Sequence, residues 1–391
     1  MKKININMLA IIKTIIYIIL LIPFFKPRSL LYGIADFSNF YHKLSLISFI
    51  VILILTIKKK RVSKSIMYIA IYLLILLIST YFNKGDINNC INIIIETLTL
   101  SLIIDYGTKY NTSVFLSAFN IFLYSLVIIN FVSIFVYPNG MYVDTSNYAD
   151  NWFLGFKNVH ILFILPAIAI SFINSYYHRK KFTVSNYVLL IISMTTLIKV
   201  NSSTSIVGVF IIILFLIAIK VVEKTGWINI KNFSIAYIIA FFAIVIFRLQ
   251  NIFAFIIVDV LKKDLSFTNR TFIWDNVIGL ITEKPFIGYG VETNAIRLSR
   301  TISFRSVHAH NQILEILYKT GIIGIIPFIM IVVSAFKELM KYKNNILSKL
   351  LSIIMLVWMI MMLTEAYLFE YFIYFFVICA NIKYLINREA R

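Results

Sequence analysis

Charge is scarce in this sequence. Of 391 residues only 14% are Asp, Glu, Lys or Arg, while 60% are hydrophobic, and the mean hydropathy is +0.89. A soluble domain carries roughly 25% charged and about 45–50% apolar residues, so a large soluble domain is excluded and the solvent of the chain is lipid. Cysteine is scarcer still. Cys90 and Cys379 lie far apart, each beside an apolar run, with neither metal-ligand spacing nor a disulfide framework. Both read as small buried hydrophobes. Acidic residues number 17 against 37 Lys and Arg, a net charge of +20. No nucleic-acid-binding module accompanies the excess. It is read instead as loops that fix orientation and meet anionic lipid. Carboxylates with metal spacing are also lacking in the loops assigned to the outer side, where Asp144 and Asp150 lie far from Asp275, so no metal is expected.

What the chain has in abundance is long apolar runs. A helix needs about 20 apolar residues to cross a bilayer, and about twelve runs of that kind are present. They fall near 8–25, 40–57, 64–82, 90–107, 113–136, 159–177, 183–198, 204–222, 232–248, 311–335, 346–363 and 366–384. The first follows Met1-Lys2-Lys3, but no small-residue cleavage site ends it, so it reads as a retained helix. Basic clusters at Lys58-Lys59-Lys60-Arg61, Arg179-Lys180-Lys181, Lys224 with Lys231, and Lys337 with Lys341 and Lys343 all fall on one side of this arrangement. Both termini fall there too, which the positive-inside rule makes cytoplasmic. The expected architecture is all-α: helices one to nine over 1–248, a long extracytoplasmic loop with short helices over 249–310, and helices ten to twelve with a cytoplasmic tail over 311–391. Within the loop, 251–261 and 270–281 read as amphipathic or interfacial helices. A shorter outer loop runs over 137–158.

The long loop breaks the charge rule, with Lys262, Lys263, Arg270, Lys284, Arg297, Arg300 and Arg305 on the outer side. Long loops cross the membrane largely regardless of charge. The same stretch holds an ordered pattern: Arg270 with Trp274 four residues on, then Pro285-Phe286-Ile287-Gly288-Tyr289-Gly290, then His308-Ala309-His310-Asn311-Gln312-Ile313-Leu314-Glu315, then Gly321-Ile322-Ile323-Gly324. Residues four apart share a helix face, and a guanidinium beside an indole suits a phosphate or a sugar ring. The Gly-x-Gly does not lie between a strand and a helix, so no nucleotide cofactor is expected. Tight turns and close helix packing account for these glycines.

This pattern resembles the main signature of the O-antigen ligase and polymerase family, bacterial membrane enzymes that join or transfer sugar chains carried on undecaprenyl pyrophosphate. Weaker elements are similar too: Gly155-Phe156-Lys157-Asn158, and the Ser-rich turn Ser202-Ser203-Thr204-Ser205, which lacks the Arg often found there. Lys199 is the candidate substitute, though a lysine offers a point charge and no bidentate fork, and it also reads as a side chain snorkelling to the interface. The resemblance implies a GT-C-like fold. It also implies a polysaccharide polymerase for capsule or O-antigen in the bacterial cytoplasmic membrane, with undecaprenyl-pyrophosphate-linked oligosaccharide and the bilayer as partners and a chain-length regulator as a further one. The chemistry needs a base for the attacking hydroxyl and cations for the departing diphosphate.

On that resemblance His310 is the expected base and Arg270 the pyrophosphate ligand, with Arg297, Arg300, Arg305, His308, Trp274, Asn311, Glu315 and Lys199 as binding residues. Asn311 can cap the following helix, whose positive end attracts a phosphate. Each has a plainer reading: an interfacial histidine bonded to backbone, loop arginines at lipid headgroups, and a Glu315–Lys319 pair on one helix face. Besides a non-enzymatic membrane scaffold, in which the outer-loop pattern would be accidental, two rival functions remain. One is the ligase branch, passing a finished glycan to a lipid or protein acceptor with the same constellation. The other is a transporter or flippase, for which two related halves and mid-membrane charges are expected and neither is found.

Overall fold

The computed structural model describes residues 8–32, 35–144, 149–249, 270–301 and 306–386. They build α1 (Met8–Leu21), α2 (Arg28–Leu31), α3 (Ala35–Lys59), α4 (Lys64–Phe82), α5 (Ile87–Tyr110), α6 (Thr112–Val136), α7 (Ile161–Arg179), α8 (Val184–Lys199), α9 (Ser203–Ile217), α10 (Ile219–Lys224), α11 (Ile230–Ala240), α12 (Arg270–Glu283), α13 (Asn294–Arg300), α14 (Gln312–Lys341), α15 (Ile346–Thr364), α16 (Ile373–Ala380) and α17 (Ile382–Ile386). Seven of the described helices are long and apolar enough to cross a membrane, and five shorter apolar helices cover the other runs read from the sequence. The protein is a mostly helical, polytopic membrane protein. Polar caps set several boundaries: Asp86 accepts from Asn89 at the start of α5, Thr183 and Asn186 bond reciprocally at α8, and Asn345 accepts from the Leu347 amide at α15.

The helices are not equally covered. The apolar windows of α7 and α15 are 83% and 78% buried, against 28% for α3, so α7 and α15 form the inside of the bundle. At one end, Lys60, Arg61, Lys109, Lys337, Lys341 and Lys383 line a common cavity of about 1260 Å³. Basic residues from loops far apart in sequence therefore meet on one side, as the alternation of runs requires.

The opposite end carries two features that the apolar runs did not indicate. The loop before α7 is not plain coil but a small antiparallel sheet, β1 (Tyr142–Asp144), β2 (Ala149–Trp152) and β3 (Gly155–Phe156), with Tyr142 paired to Asn151 and Trp152 to Gly155. The second is a break in α14 at Gly321, whose φ of 58° and ψ of −162° are not helical. The break frees carbonyls before it and amides after it, and such groups must find partners when buried. Residues 285–290 supply them. The Tyr289 and Gly290 amides donate to the carbonyls of Tyr318 and Lys319, at 2.8 and 2.9 Å, and the Ile322 and Ile323 amides donate to Pro285 and Phe286. A Cβ on Gly321 would stand 2.3 Å from Phe286 backbone, so only glycine fits there. The Pro-x-x-Gly-x-Gly and Gly-x-x-Gly motifs are thus two halves of one joint. Ser79 of α4 and Asn83, which caps the end of that helix, fasten it by donating to the Ile287 and Gly288 carbonyls.

Candidate active site

Four residues precede α14 in an irregular turn, and the helix starts where Asn311 accepts a hydrogen bond from the Leu314 amide at 3.1 Å. The Asn311 amide also donates to the Leu363 carbonyl, tying the turn to the end of α15. His310 sits in the left-handed region at φ 47°, uncommon for a residue with a side chain. Such backbone persists where the surroundings over-determine it, and functional sites are where it gathers. Two bonds hold it: the Trp274 indole donates to the His310 carbonyl at 3.2 Å, and the Ala309 amide donates to Glu315 at 2.8 Å.

The His310 side chain meets a residue not anticipated from the sequence. Its Nδ1 lies 2.9 Å from one oxygen of Glu365, just past α15, and Arg270 Nη2 donates to the other oxygen at 2.6 Å. Burial alone would raise the Glu365 carboxyl, but the hydrogen bond with His310 and the Arg270 charge hold it below the usual carboxylate range. An ionised carboxylate only accepts, so Nδ1 carries a proton and Nε2 is the ring nitrogen left to face a substrate. His308 stands edge-on to His310, ring centroids 4.2 Å apart. Burial, aided by His310, pushes the His308 imidazole down to about 4.

The other candidates divide. Glu315 is buried and takes Arg297 Nη2 and Lys319 Nζ, each at 3.1 Å, so it is a structural clamp on the His308–His310 turn. Arg297 is 4% exposed and lies 3.3 Å over the Tyr318 ring. Arg300 pairs with Glu292 at 2.6 Å and keeps a partly open side chain. Trp274 is 0% exposed; the guanidinium stacked on it, at 5.0 Å, is that of Arg248 rather than Arg270. Lys199 ends α8 over the Phe135 ring at 5.7 Å, and no hydrogen bond or ion pair among the described residues joins it to His310. Arg305 and the helix expected over 251–261 lie outside the described residues.

His308, His310 and Glu365 bring potential ligand atoms within 4.8 Å of one another, a set able to hold a cation. Arg270 already balances the Glu365 charge and Nδ1 of His310 is taken. A base with a free nitrogen, an oriented carboxylate and a neighbouring guanidinium can move a proton beside an anionic group.

Residues 188–329 match the family model described as O-antigen ligase. A Rickettsia felis protein named as a polysaccharide ligase is 33% identical over 90 residues, which is 20% of this chain and 22% of that protein. A Rickettsia conorii protein of like name is 34% identical over 90 residues, with the same coverage. The chain thus aligns with 22% of the length of the curated relatives it matches. The family match includes Arg270, both glycine motifs and His310, and it ends before Glu365.

Proposed function

We propose, for a chain whose residues 188–329 match the O-antigen ligase family model, that it polymerises oligosaccharide repeat units at the outer face of the bacterial cytoplasmic membrane. A growing glycan is transferred from undecaprenyl pyrophosphate onto the next lipid-linked unit. The observation that carries this reading is the Arg270–Glu365–His310 array. His310 Nε2 accepts the proton of the attacking sugar hydroxyl. The new glycosidic bond forms as the bond to the carrier diphosphate breaks. Glu365 keeps His310 in the tautomer that can accept. Arg270 spends Nη2 on Glu365 and retains further N–H donors for the departing diphosphate. Because Arg270 and His310 between them satisfy Glu365, the reaction is assigned no metal.

The test is polymer formation from lipid-linked repeat units by reconstituted protein. His310→Asn keeps a side chain that tolerates left-handed backbone and removes the base, so the rate falls roughly 10²- to 10⁴-fold. The wild type keeps its rate in EDTA. Full polymer from a normally inserted His310→Asn protein overturns the base, and loss of wild-type activity in EDTA overturns the metal-free chemistry.

A second reading is the ligase branch, favoured by the names of the family model and of both relatives. Glycan ladders separate the two. Deletion that removes long chains while single units stay attached marks a polymerase, whereas loss of all attached glycan marks a ligase.

A further inference from the structure

A second cavity, of about 690 Å³, opens near the start of α5. One face of α5 turns polar there: Asn88, Asn92 and Glu96 are spaced four apart and line it together. The stripe runs about 12 Å along the helix. Ser38, Asn39 and His42 of α3 face it from across the cavity, and Lys26 reaches Glu96 at 2.5 Å. Ser38, Asn39, His42 and Asn88 are exposed at the mouth, while Asn92 and Glu96 are half-buried farther along an apolar helix, where polar groups are expected to pair or to serve a ligand. Pairing explains only Lys26 and Glu96. Among the described residues, the side chains of Asn39, His42, Asn88 and Asn92 form no hydrogen bond.

Glu370 adds an independent observation. It is 8% exposed, lines this cavity, and its Oε2 has no hydrogen-bond partner among the described residues. An unsatisfied buried carboxylate oxygen is expensive unless something donates to it. Glu370 stands five residues after Glu365 on the segment joining α15 to α16, and five residues reach at most about 18 Å. The cavity is therefore within a few sugar rings of His310.

Charge decides what kind of ligand fits. Lys26 is neutralised by Glu96, and no other Lys or Arg is among the described residues that line the wall. A diphosphate finds no unpaired Lys or Arg there. Amides, a hydroxyl, an imidazole and a carboxylate acceptor instead suit a molecule rich in O–H groups. We infer that this cavity binds uncharged sugar units of the lipid-linked glycan, beside the place where the bond is made. This rests on the function proposed above.

The experiment uses saturation-transfer NMR on the full chain in nanodiscs. Its probes are repeat-unit oligosaccharide released from the carrier by mild acid and, separately, inorganic pyrophosphate. Wild type and His310→Asn are both expected to transfer saturation to sugar protons. Asn92→Ala and Glu370→Gln each weaken oligosaccharide binding up to about tenfold, the worth of a hydrogen bond, and shorten the polymer. Asn88→Ala, at the exposed rim, keeps the test intact if a deeper variant fails to insert. Unchanged oligosaccharide binding and chain length in inserted variants overturn the proposal. So does saturation transfer that is displaced by pyrophosphate. Polymer from His310→Asn would instead overturn the catalytic reading and leave sugar binding at the cavity to be judged by the NMR alone.

Discussion

Glu365 grips two neighbours with its two oxygens, so its replacement by glutamine separates charge from shape. The amide retains the volume but can offer an N–H to His310 Nδ1, which moves the ring proton to Nε2 and removes the base. Glu365→Gln is expected to lower the polymerisation rate roughly 10²- to 10⁴-fold with little change in thermal stability, and a wild-type rate would remove Glu365 from the mechanism. His308 offers a pH test. Its folded value of about 4 lies below the ordinary 6.5, so between these values the unfolded chain binds the proton first. Stability then rises with pH across that window and levels off above it. Thermal midpoints measured from pH 4.5 to 7 should climb in the wild type and climb less in His308→Asn. Much of this residue scale was legible. The Asn311 cap could be read from residue type, while Arg270 and His310 were singled out by the family resemblance, a histidine at a helix start reading by itself as an interfacial residue. Glu365 was not legible, because a lone carboxylate between two apolar runs looks like any turn residue, and its partners lie 55 and 95 positions away. The spacing of Arg270 and Trp274 gave the shared helix but not which guanidinium covers the indole, since Arg248 arrives from another element.

Among elements, α14 and the 285–290 segment behave as one part. Gly321→Ala puts a Cβ into Phe286 and demands a left-handed alanine, a cost of about 1–3 kcal/mol. A lower thermal midpoint in detergent, with reduced activity, is the expected result; an unaltered midpoint would mean the joint is not needed for stability. The apolar runs made the helices readable, since length and hydropathy suffice to specify them. The break in α14 could not be read, because a glycine within an apolar run is ordinary in membrane helices and only tertiary contact makes this one a hinge point. The β1–β3 sheet escaped for a similar reason: strands of two to four residues leave too little alternation to register.

For the whole molecule, orientation follows from where charge gathers. Basic residues from several loops share one cavity, while the His310 site lies at the other end of the bundle. The native cysteines, Cys90 and Cys379, are buried, so labelling of an introduced cysteine is easily read. Lys343→Cys, at an exposed position, should react with an impermeant maleimide only after the cells are opened, and Asn294→Cys, also exposed, should react in intact spheroplasts. The opposite pattern would invert the molecule and remove the site from the outer face.

The joint at Gly321 also sets an order of assembly. The chain is made from its amino terminus, so residues 285–290 exist before the carbonyls and amides they will satisfy. Until 318–323 are in place, the loop has nothing to latch onto. His310 then waits longer still, because Glu365 is synthesised only after α15. A ribosome stalled between residues 324 and 365 therefore carries a nascent chain with Arg270, both glycine motifs and His310 present but no Glu365, and the Arg270–Glu365–His310 array can close only once the chain beyond α15 is made.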